Sequence, residues 1–207
     1  VSELPAQWAK LSIGDIAESM KNGVYKPADA YAQDGIACLR MYNVEGGKIV
    51  WKDIKRMRLS KEDFETYRLL PGDLLVNRVN SRELVGKAAM IPDGLEACVF
   101  ESKNIRLRLR SNLVDPKFVA FKLLLDGSRH FANNAQQVVG MASISQPQLA
   151  AFPIPLPPLA EQKRIVAKIE ELFSELEAGE ESLRLARRQL ATYRQSLLKQ
   201  AFEGKLT

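Results

Sequence analysis

The sequence predicts an α/β (α+β) domain with a mixed β-sheet, followed by one long C-terminal α-helix that forms an antiparallel coiled coil with a partner helix. Three observations predict it. Short β-rich runs are punctuated by Gly, Pro and Asp turns over residues 1–152. A proline-dense connector, Pro153-Ile154-Pro155-Leu156-Pro157-Pro158, follows. Residues 159–207 then carry a heptad pattern without a single proline.

Taken in order, Ser12 to Ser19 reads as a short helix and Ile36 to Asn43 as a strand. Gly46-Gly47 turns the chain into a strand at 48–51. Ser60, with Asp63 three residues on, caps a helix over 61–69. Pro71-Gly72-Asp73 is a turn before a strand at Leu74 to Val79, and Val85 to Ile91 is another strand closed by Pro92-Asp93-Gly94. Asp115-Pro116 opens a helix to about Leu125. In Ile105-Arg106-Leu107-Arg108-Leu109-Arg110 the alternation puts three arginines on one strand face, either as a solvated surface or as a row facing phosphates.

In the last segment, Ile165, Ile169, Leu172, Leu176, Gly179, Leu183, Ala186, Leu190, Tyr193 and Leu197 recur at alternating gaps of four and three. A helix from Leu159 to about Phe202 would be on the order of 65 Å long and needs a mate to cover that seam. Gly179 and Ala186 let the mate's backbone come close. Residues 159–181 hold seven acids and three bases, whereas 182–202 hold five bases and no acid. A parallel copy would set like charge beside like, so the pattern selects an antiparallel mate. That mate is a second copy in a homodimer or a sister half.

Composition narrows the function. The chain of 207 residues is 46% hydrophobic, as expected of a globular protein, and no apolar run approaches the roughly 20 residues of a membrane helix. Cys38 and Cys98 are far apart and read as reduced core cysteines of a cytoplasmic protein. With His130 the single histidine, no metal site or Cys-His nucleophile system is expected. The net charge is +5, and residues 1–158 carry 21 basic against 17 acidic side chains, which favours a polyanionic partner.

Several motifs together resemble type I restriction-modification specificity subunits. The most specific is Ser145-Gln146-Pro147-Gln148-Leu149 followed by Phe152-Pro153-Ile154-Pro155-Leu156-Pro157-Pro158-Leu159-Ala160-Glu161-Gln162-Lys163-Arg164-Ile165-Val166. The stretch Pro71-Gly72-Asp73-Leu74-Leu75 with Arg78 and Val85-Gly86-Lys87, the opening Leu4-Pro5 with Trp8, Ile13-Gly14-Asp15-Ile16, and the end Gln200 to Thr207 are also similar to that family. The resemblance implies a target-recognition, DNA-binding domain at 1–152. It also implies a helix at 159–207 that dimerises, acts as a spacer and docks a methyltransferase subunit. The family's usual subunit has two such domains and two such helices; this sequence has one of each. It is a natural half-subunit, or one half of a longer chain. The implied partners are double-stranded DNA, the methyltransferase subunit and the restriction subunit. S-adenosylmethionine, ATP and magnesium would sit on those subunits and none on this chain.

Base edges are read by paired donors and acceptors, with Arg or Lys suited to guanine and Asn or Gln to adenine. On that ground the candidate DNA-binding residues fall in four segments and two motifs. They are Lys21, Tyr25 and Lys26; Tyr42 and Asn43, beside Arg40; Asn77, Arg78, Asn80, Ser81 and Arg82; and Arg129, Asn133, Asn134, Gln136, Gln137 and Ser143. Lys87 and Lys103 join them, and Lys52, Lys55, Arg56, Arg58, Lys61 and Lys103 are candidate phosphate anchors. The third and the last of these segments, at 77–83 and 129–137, are expected to be loops.

Two other function classes remain. Pro92-Asp93 with Glu101-Ser102-Lys103 spells a PD…ExK nuclease pattern, in which Asp93 and Glu101 would hold a divalent metal and Lys103 would stabilise developing charge. Pro-Asp-Gly is equally an ordinary turn. A coiled-coil adaptor with no DNA role is the other class, and the basic excess counts against it. No glycine-rich cofactor loop or methyltransferase motif is present, so the chain is expected to be a non-catalytic part of an enzyme complex.

Overall fold

The structure is a computed structural model that describes residues 4–138 and 140–205, with the backbone alone at Gln137 and Val138. It divides into two units, Val1–Lys163 and Arg164–Thr207. The elements in chain order are β1 (Ala9–Ser12), α1 (Ile13–Ile16), β2 (Ala17–Asn22), β3 (Tyr31–Leu39), β4 (Val44–Glu45), β5 (Lys48–Ile49) and β6 (Lys55–Met57). They continue with α2 (Lys61–Tyr67), β7 (Leu74–Asn77), β8 (Val79–Asn80), β9 (Ala88–Met90), β10 (Cys98–Phe100), β11 (Asn104–Leu109) and α3 (Pro116–Asn134). Last come β12 (Gln136–Val138), β13 (Met141–Ser143), α4 (Gln146–Ala150), β14 (Pro153–Leu156) and α5 (Leu159–Phe202). Among the described residues no helix is long and apolar enough to cross a membrane.

A four-stranded antiparallel sheet, β2-β11-β7-β9, lies beside a three-stranded sheet, β10-β3-β6, in which β10 and β3 run parallel. Leu75 of the first sheet packs in one buried cluster with Leu39 and Phe100 of the second, and Leu74, Ile105 and Leu107 are fully buried as well. The Gly46-Gly47 turn joins β4 to β5 with both glycines at positive φ, the geometry of a two-residue hairpin. Ser60 caps α2 by accepting the Asp63 N–H at 3.0 Å, and Asp115 caps α3 by accepting the Lys117 N–H at 2.9 Å.

Four expectations are corrected. Ser12 to Ser19 is not one helix. A capping box between Ser12 and Asp15 opens a single turn, and the chain then pairs with β11 as β2. The arginines of β11 form neither a solvated face nor a phosphate row. Arg106 is buried and donates to the carbonyls of Arg68, at 2.8 Å, and Thr66, at 3.4 Å. Those are carbonyls at the end of α2 with no partner inside the helix, and the guanidinium supplies the missing donors. Arg108 makes two bonds of 2.8 Å to Asp73, which raise its pKa.

The third correction concerns α3, which runs on to Asn134 rather than stopping near Leu125. Phe118, Val119, Leu123 and Phe131 continue its buried stripe through the segment expected to be a loop. Gly86 locks that packing: its φ is +81°, and a Cβ there would overlap the Phe131 ring. The fourth concerns the proline connector, which is itself a strand. β14 pairs antiparallel with β1, Ile154 and Leu156 are buried, and its prolines sit in a two-stranded sheet where a missing N–H is tolerated.

The first turn of α5 is built into the first unit. The fully buried Gln162 side chain accepts the Asp115 N–H at 2.8 Å. It donates to the carbonyls of Pro157 at 2.8 Å and Leu113 at 3.2 Å. Trp8 Nε1 donates to Glu161 at 3.2 Å. The Glu161-Gln162 motif and the N-terminal Trp8 motif thus meet across the whole unit. The rest of α5 is a regular helix of the second unit, laced by ion pairs such as Glu181 with Arg184 and Arg188. Along its seam Leu172, Leu176, Leu183, Leu190 and Tyr193 are exposed, as are Gly179 and Ala186, while Ile165, Ile169 and Leu197 are partly exposed.

Candidate nucleic-acid interface

A single turn, Glu101 to Asn104, gathers the nominated segments. On one side the Val24 N–H donates to the Phe100 carbonyl and the Ser102 N–H to the Val24 carbonyl, both at 2.9 Å. Gly23 fits there because a Cβ would overlap the Glu101 backbone. On the other side the Glu101 N–H donates to the Leu39 carbonyl at 3.0 Å, and Glu101 Oε1 accepts the Met41 N–H at 2.8 Å. Behind the turn the Arg78 N–H donates to the Lys103 carbonyl at 2.9 Å, and the Arg78 carbonyl accepts the Ile144 N–H at 2.8 Å. The segments at 22–26, 40–43, 78–82 and 140–146 therefore meet around this turn, with β8 and β13 pairing inside the last two where loops were expected. They come from four separate parts of the chain.

Within that cluster the nominated residues divide by what their side chains already do. Asn43, Asn77 and Asn80 are buried, and their side chains brace the turns. Asn43 accepts the Arg40 N–H at 2.9 Å and donates to the Val50 and Lys52 carbonyls. Asn80 Nδ2 donates to Asn77 Oδ1 at 2.8 Å, and Asn77 Nδ2 to Asn104 Oδ1 at 2.7 Å. Tight turns inside a packed unit leave polar groups that water cannot reach, and amide side chains satisfy them.

Among the cations, Lys26 pairs with Asp63 at 2.7 Å and Lys21 lies over the Tyr67 ring. Lys87 is half-buried, and burial lowers its pKa. Lys103 is exposed on the turn. Of the phosphate anchors, Arg56 is held by Glu96 and Arg58 by Asp34, each through two bonds that largely cancel its charge. Lys52, Lys55 and Lys61 stay exposed.

Arg129 and Asn133 are exposed on α3 rather than on a loop. Asn134 is exposed, with its amide on the His130 carbonyl, and Arg82 is exposed, with Nε on the Ala132 carbonyl at 3.3 Å. Gln136, Ser143 and Arg78 line an open recess of about 260 Å³ completed by Ile144, Ser145 and Gln148. Ser81 is partly exposed beside it, and the Gln137 side chain lies outside the described residues. Tyr25 and Tyr42 are 80% and 64% exposed, far more than aromatic side chains on a surface without a partner usually are.

The arginines separate clearly. Arg56, Arg58, Arg68 and Arg108 face carboxylates. Arg40, Arg78 and Arg82, in the gathered segments, donate to backbone carbonyls, Arg40 also lies over the Tyr42 ring, and none of the three pairs with a carboxylate in the way Arg56, Arg58, Arg68 and Arg108 do. Such a face suits a polyanion. Nothing in the geometry favours a nuclease. Glu101 uses an oxygen to hold the Met41 backbone, Asp93 is exposed in the turn after β9, and among the described residues no group of three metal-ligating side chains converges.

The family model for the type I restriction modification DNA specificity domain matches residues 5–185. The chain belongs to this family. It is 28% identical over 203 residues to the type I restriction enzyme StySPI specificity subunit of Salmonella potsdam, covering 97% of this chain and 43% of that protein. It is 28% identical over 202 residues to the EcoKI specificity subunit of Escherichia coli, covering 96% and 43%. Its fold is that of a chain from a type I R-M system solved for complex assembly and conformational transition. The TM-score is 0.76 at 21% identity, covering 99% of this chain and 48% of that one. The chain thus spans less than half the length of these proteins, and the family match runs through the gathered segments and into α5 as far as residue 185.

Proposed function

We propose that this chain is a DNA sequence-specificity subunit, or half of one, that reads one half of a split target for a type I restriction-modification complex. The observation that carries the reading is the convergence of four segments, with Arg40, Arg78 and Arg82 donating to backbone carbonyls, in a chain of this family. In this reading residues 1–152 recognise DNA, 153–158 connect, and 159–207 form the spacer that also docks the methyltransferase subunit. The chain carries no catalysis. S-adenosylmethionine, ATP and magnesium belong to the methyltransferase and restriction subunits, and the complex works in the cytoplasm, where its DNA is. Selection of bound duplexes from a random library, with the methyltransferase subunit present, should return a defined half-site, duplicated as a split palindrome if two copies pair. Binding should weaken steeply with salt. Recovery of unselected sequence would refute the reading.

The α5 seam is covered by an antiparallel mate, a second copy or a sister half. With Leu172→Cys and Leu197→Cys in one chain, oxidation should join 172 to 197 of the mate. Bonds of 172 to 172 alone would mean a parallel pair.

A further inference from the structure

We infer that Arg40, steadied by Tyr42, is a base-reading residue of the half-site, taking the paired acceptors of a guanine in the major groove. This rests on the DNA-reading role proposed above and names the group that performs part of it.

The backbone at Arg40 is held unusually firmly for a loop. The residue directly follows β3, where Leu39 lies opposite Phe100 of β10. Its N–H is taken by Asn43 Oδ1 at 2.9 Å, its carbonyl accepts the Asn43 N–H at 2.9 Å, and the next N–H is taken by Glu101. Asn43 is itself buried and bonded to two further carbonyls. Arg40 thus projects from a short 3₁₀ turn, Met41–Asn43, that a buried amide and a carboxylate lock in place.

The side chain is steadied but unspent. Its guanidinium lies 5.5 Å from the centre of the Tyr42 ring, within cation–π range. One Nη2–H reaches the Asp53 carbonyl at 3.4 Å, a long bond. Nε is shielded from solvent and has no acceptor. No carboxylate forms an ion pair with Arg40 among the described residues, unlike Arg56 and Arg58 on the same sheet. A planar fork with free donors fits a planar pair of acceptors, and guanine O6 and N7 are such a pair.

The surroundings favour DNA, and a base over a phosphate. Val24, Glu101 and Leu39 stand on adjacent chain segments, so the Tyr25 and Arg40 backbones are roughly 10 Å apart, two strand spacings. Tyr25, Tyr42 and Lys103, on the segments joined at this turn, are all exposed. Flexible lysines such as Lys103 and Lys52 can follow phosphates. A guanidinium fixed by a ring and a locked turn is spent to better effect where orientation matters, at a base edge.

The test uses the chain with its methyltransferase partner and the duplex recovered by selection. Arg40→Ala should weaken cognate binding about 5- to 150-fold and abolish preference at one base pair, leaving unrelated duplex within about twofold. Arg40→Lys should lose the same preference, because an ammonium cannot form the planar pair. Tyr42→Ala should lose part of it at that same position, and Tyr42→Phe should behave as the parent. Unchanged thermal unfolding of Arg40→Lys keeps a folding defect from passing as support. Equal loss on cognate and unrelated duplexes, with a salt slope lower by about one, would make Arg40 a phosphate contact and overturn the inference. Parent-like selection by Arg40→Ala would also overturn it. If the parent complex itself selects no sequence, the DNA-reading role falls first and the inference with it.

Discussion

In the unit ending at Lys163, a core of large apolar side chains is sealed, and polar groups needed for its turns are buried with them. Phe100, Phe131, Phe152, Ile13 and Ile16 are sealed, and Asn43, Asn77, Asn80, Asp73 and Gln162 each find partners. In the helix beyond Arg164 the relation is reversed. Leu172, Leu176, Leu183, Leu190 and Tyr193 are exposed along one line, and the polar residues pair with each other on the surface. Burying one leucine contributes about 1.5–3 kcal/mol, so covering this line with a mate, as proposed above, would add several such contributions. The first unit is stable through its own packing and leaves Arg40, Arg78 and Arg82 on carbonyls rather than carboxylates. The second leaves its apolar surface open. In the function proposed above, the first surface would meet DNA and the second another helix.

The largest expected effect comes from charging the seam. Leu183→Asp places a carboxylate at the middle of the helix and, in a two-fold pair, does so twice. The loss should be about 3–6 kcal/mol of association free energy, read by sedimentation as conversion of a dimer to monomer. The unfolding transition of the first unit should not move. A dimer that survives Leu183→Asp would break the comparison, because some surface other than the seam would then hold the pair.

Next is the reverse experiment on the first unit. Gln162→Leu keeps the volume but leaves the Asp115 N–H and the Leu113 and Pro157 carbonyls buried without partners. About 3 kcal/mol of stability should be lost in urea unfolding, with helix pairing in the folded chain unchanged. A loss of pairing at unchanged stability would mean that Gln162 serves the helix rather than the fold.

Smaller again is the split between neighbours on one loop. Asn80→Ala breaks the amide ladder to Asn77 and Asn104 and should cost about 1–2 kcal/mol of stability while weakening all DNA alike. Arg82→Ala removes only a bond to the Ala132 carbonyl and should leave stability within about 0.5 kcal/mol. It should instead change preference at one base pair, so the two variants separate bracing from reading.

That split also marks where sequence reasoning worked and where it stopped. The heptad line, the Ser60 and Asp115 caps and the Gly46-Gly47 hairpin were legible because each depends on residues within a few positions of one another. The turn at Pro71-Gly72-Asp73 was legible for the same reason, whereas the polar run at 129–134 was expected to be a loop and is the end of α3. The fate of the polar side chains was not legible. Asn77 is buried against Asn104, and Arg106 caps α2 from a strand 38 residues past the Arg68 carbonyl it serves. Glu101 looked like one arm of a metal site and proved to be the brace under Met41. β14 is a strand only because β1 waits for it from the other end of the unit. None of these partners is near in sequence, and nothing in local composition distinguishes a braced asparagine from a free one.

The smallest effect concerns charge along the helix, and it sharpens the comparison most. Glu180 directly follows seam position Gly179, and Arg187 directly follows Ala186. If layers pair Leu172 with the mate's Leu197 and Leu176 with the mate's Tyr193, Glu180 lies close to the mate's Arg187 on both sides of the axis. A register one heptad away would set Glu180 against its own copy, which like charge disfavours. Glu180→Arg and Arg187→Glu should each weaken pairing, by about 0.5–1 kcal/mol per contact and more at low salt. The two together should restore it, since the contact is remade with its signs exchanged. Failure of the double variant to recover would place the mate in another register. Equal single effects at high and low salt would show that the helices are aligned by packing at Gly179 and Ala186 and not by charge.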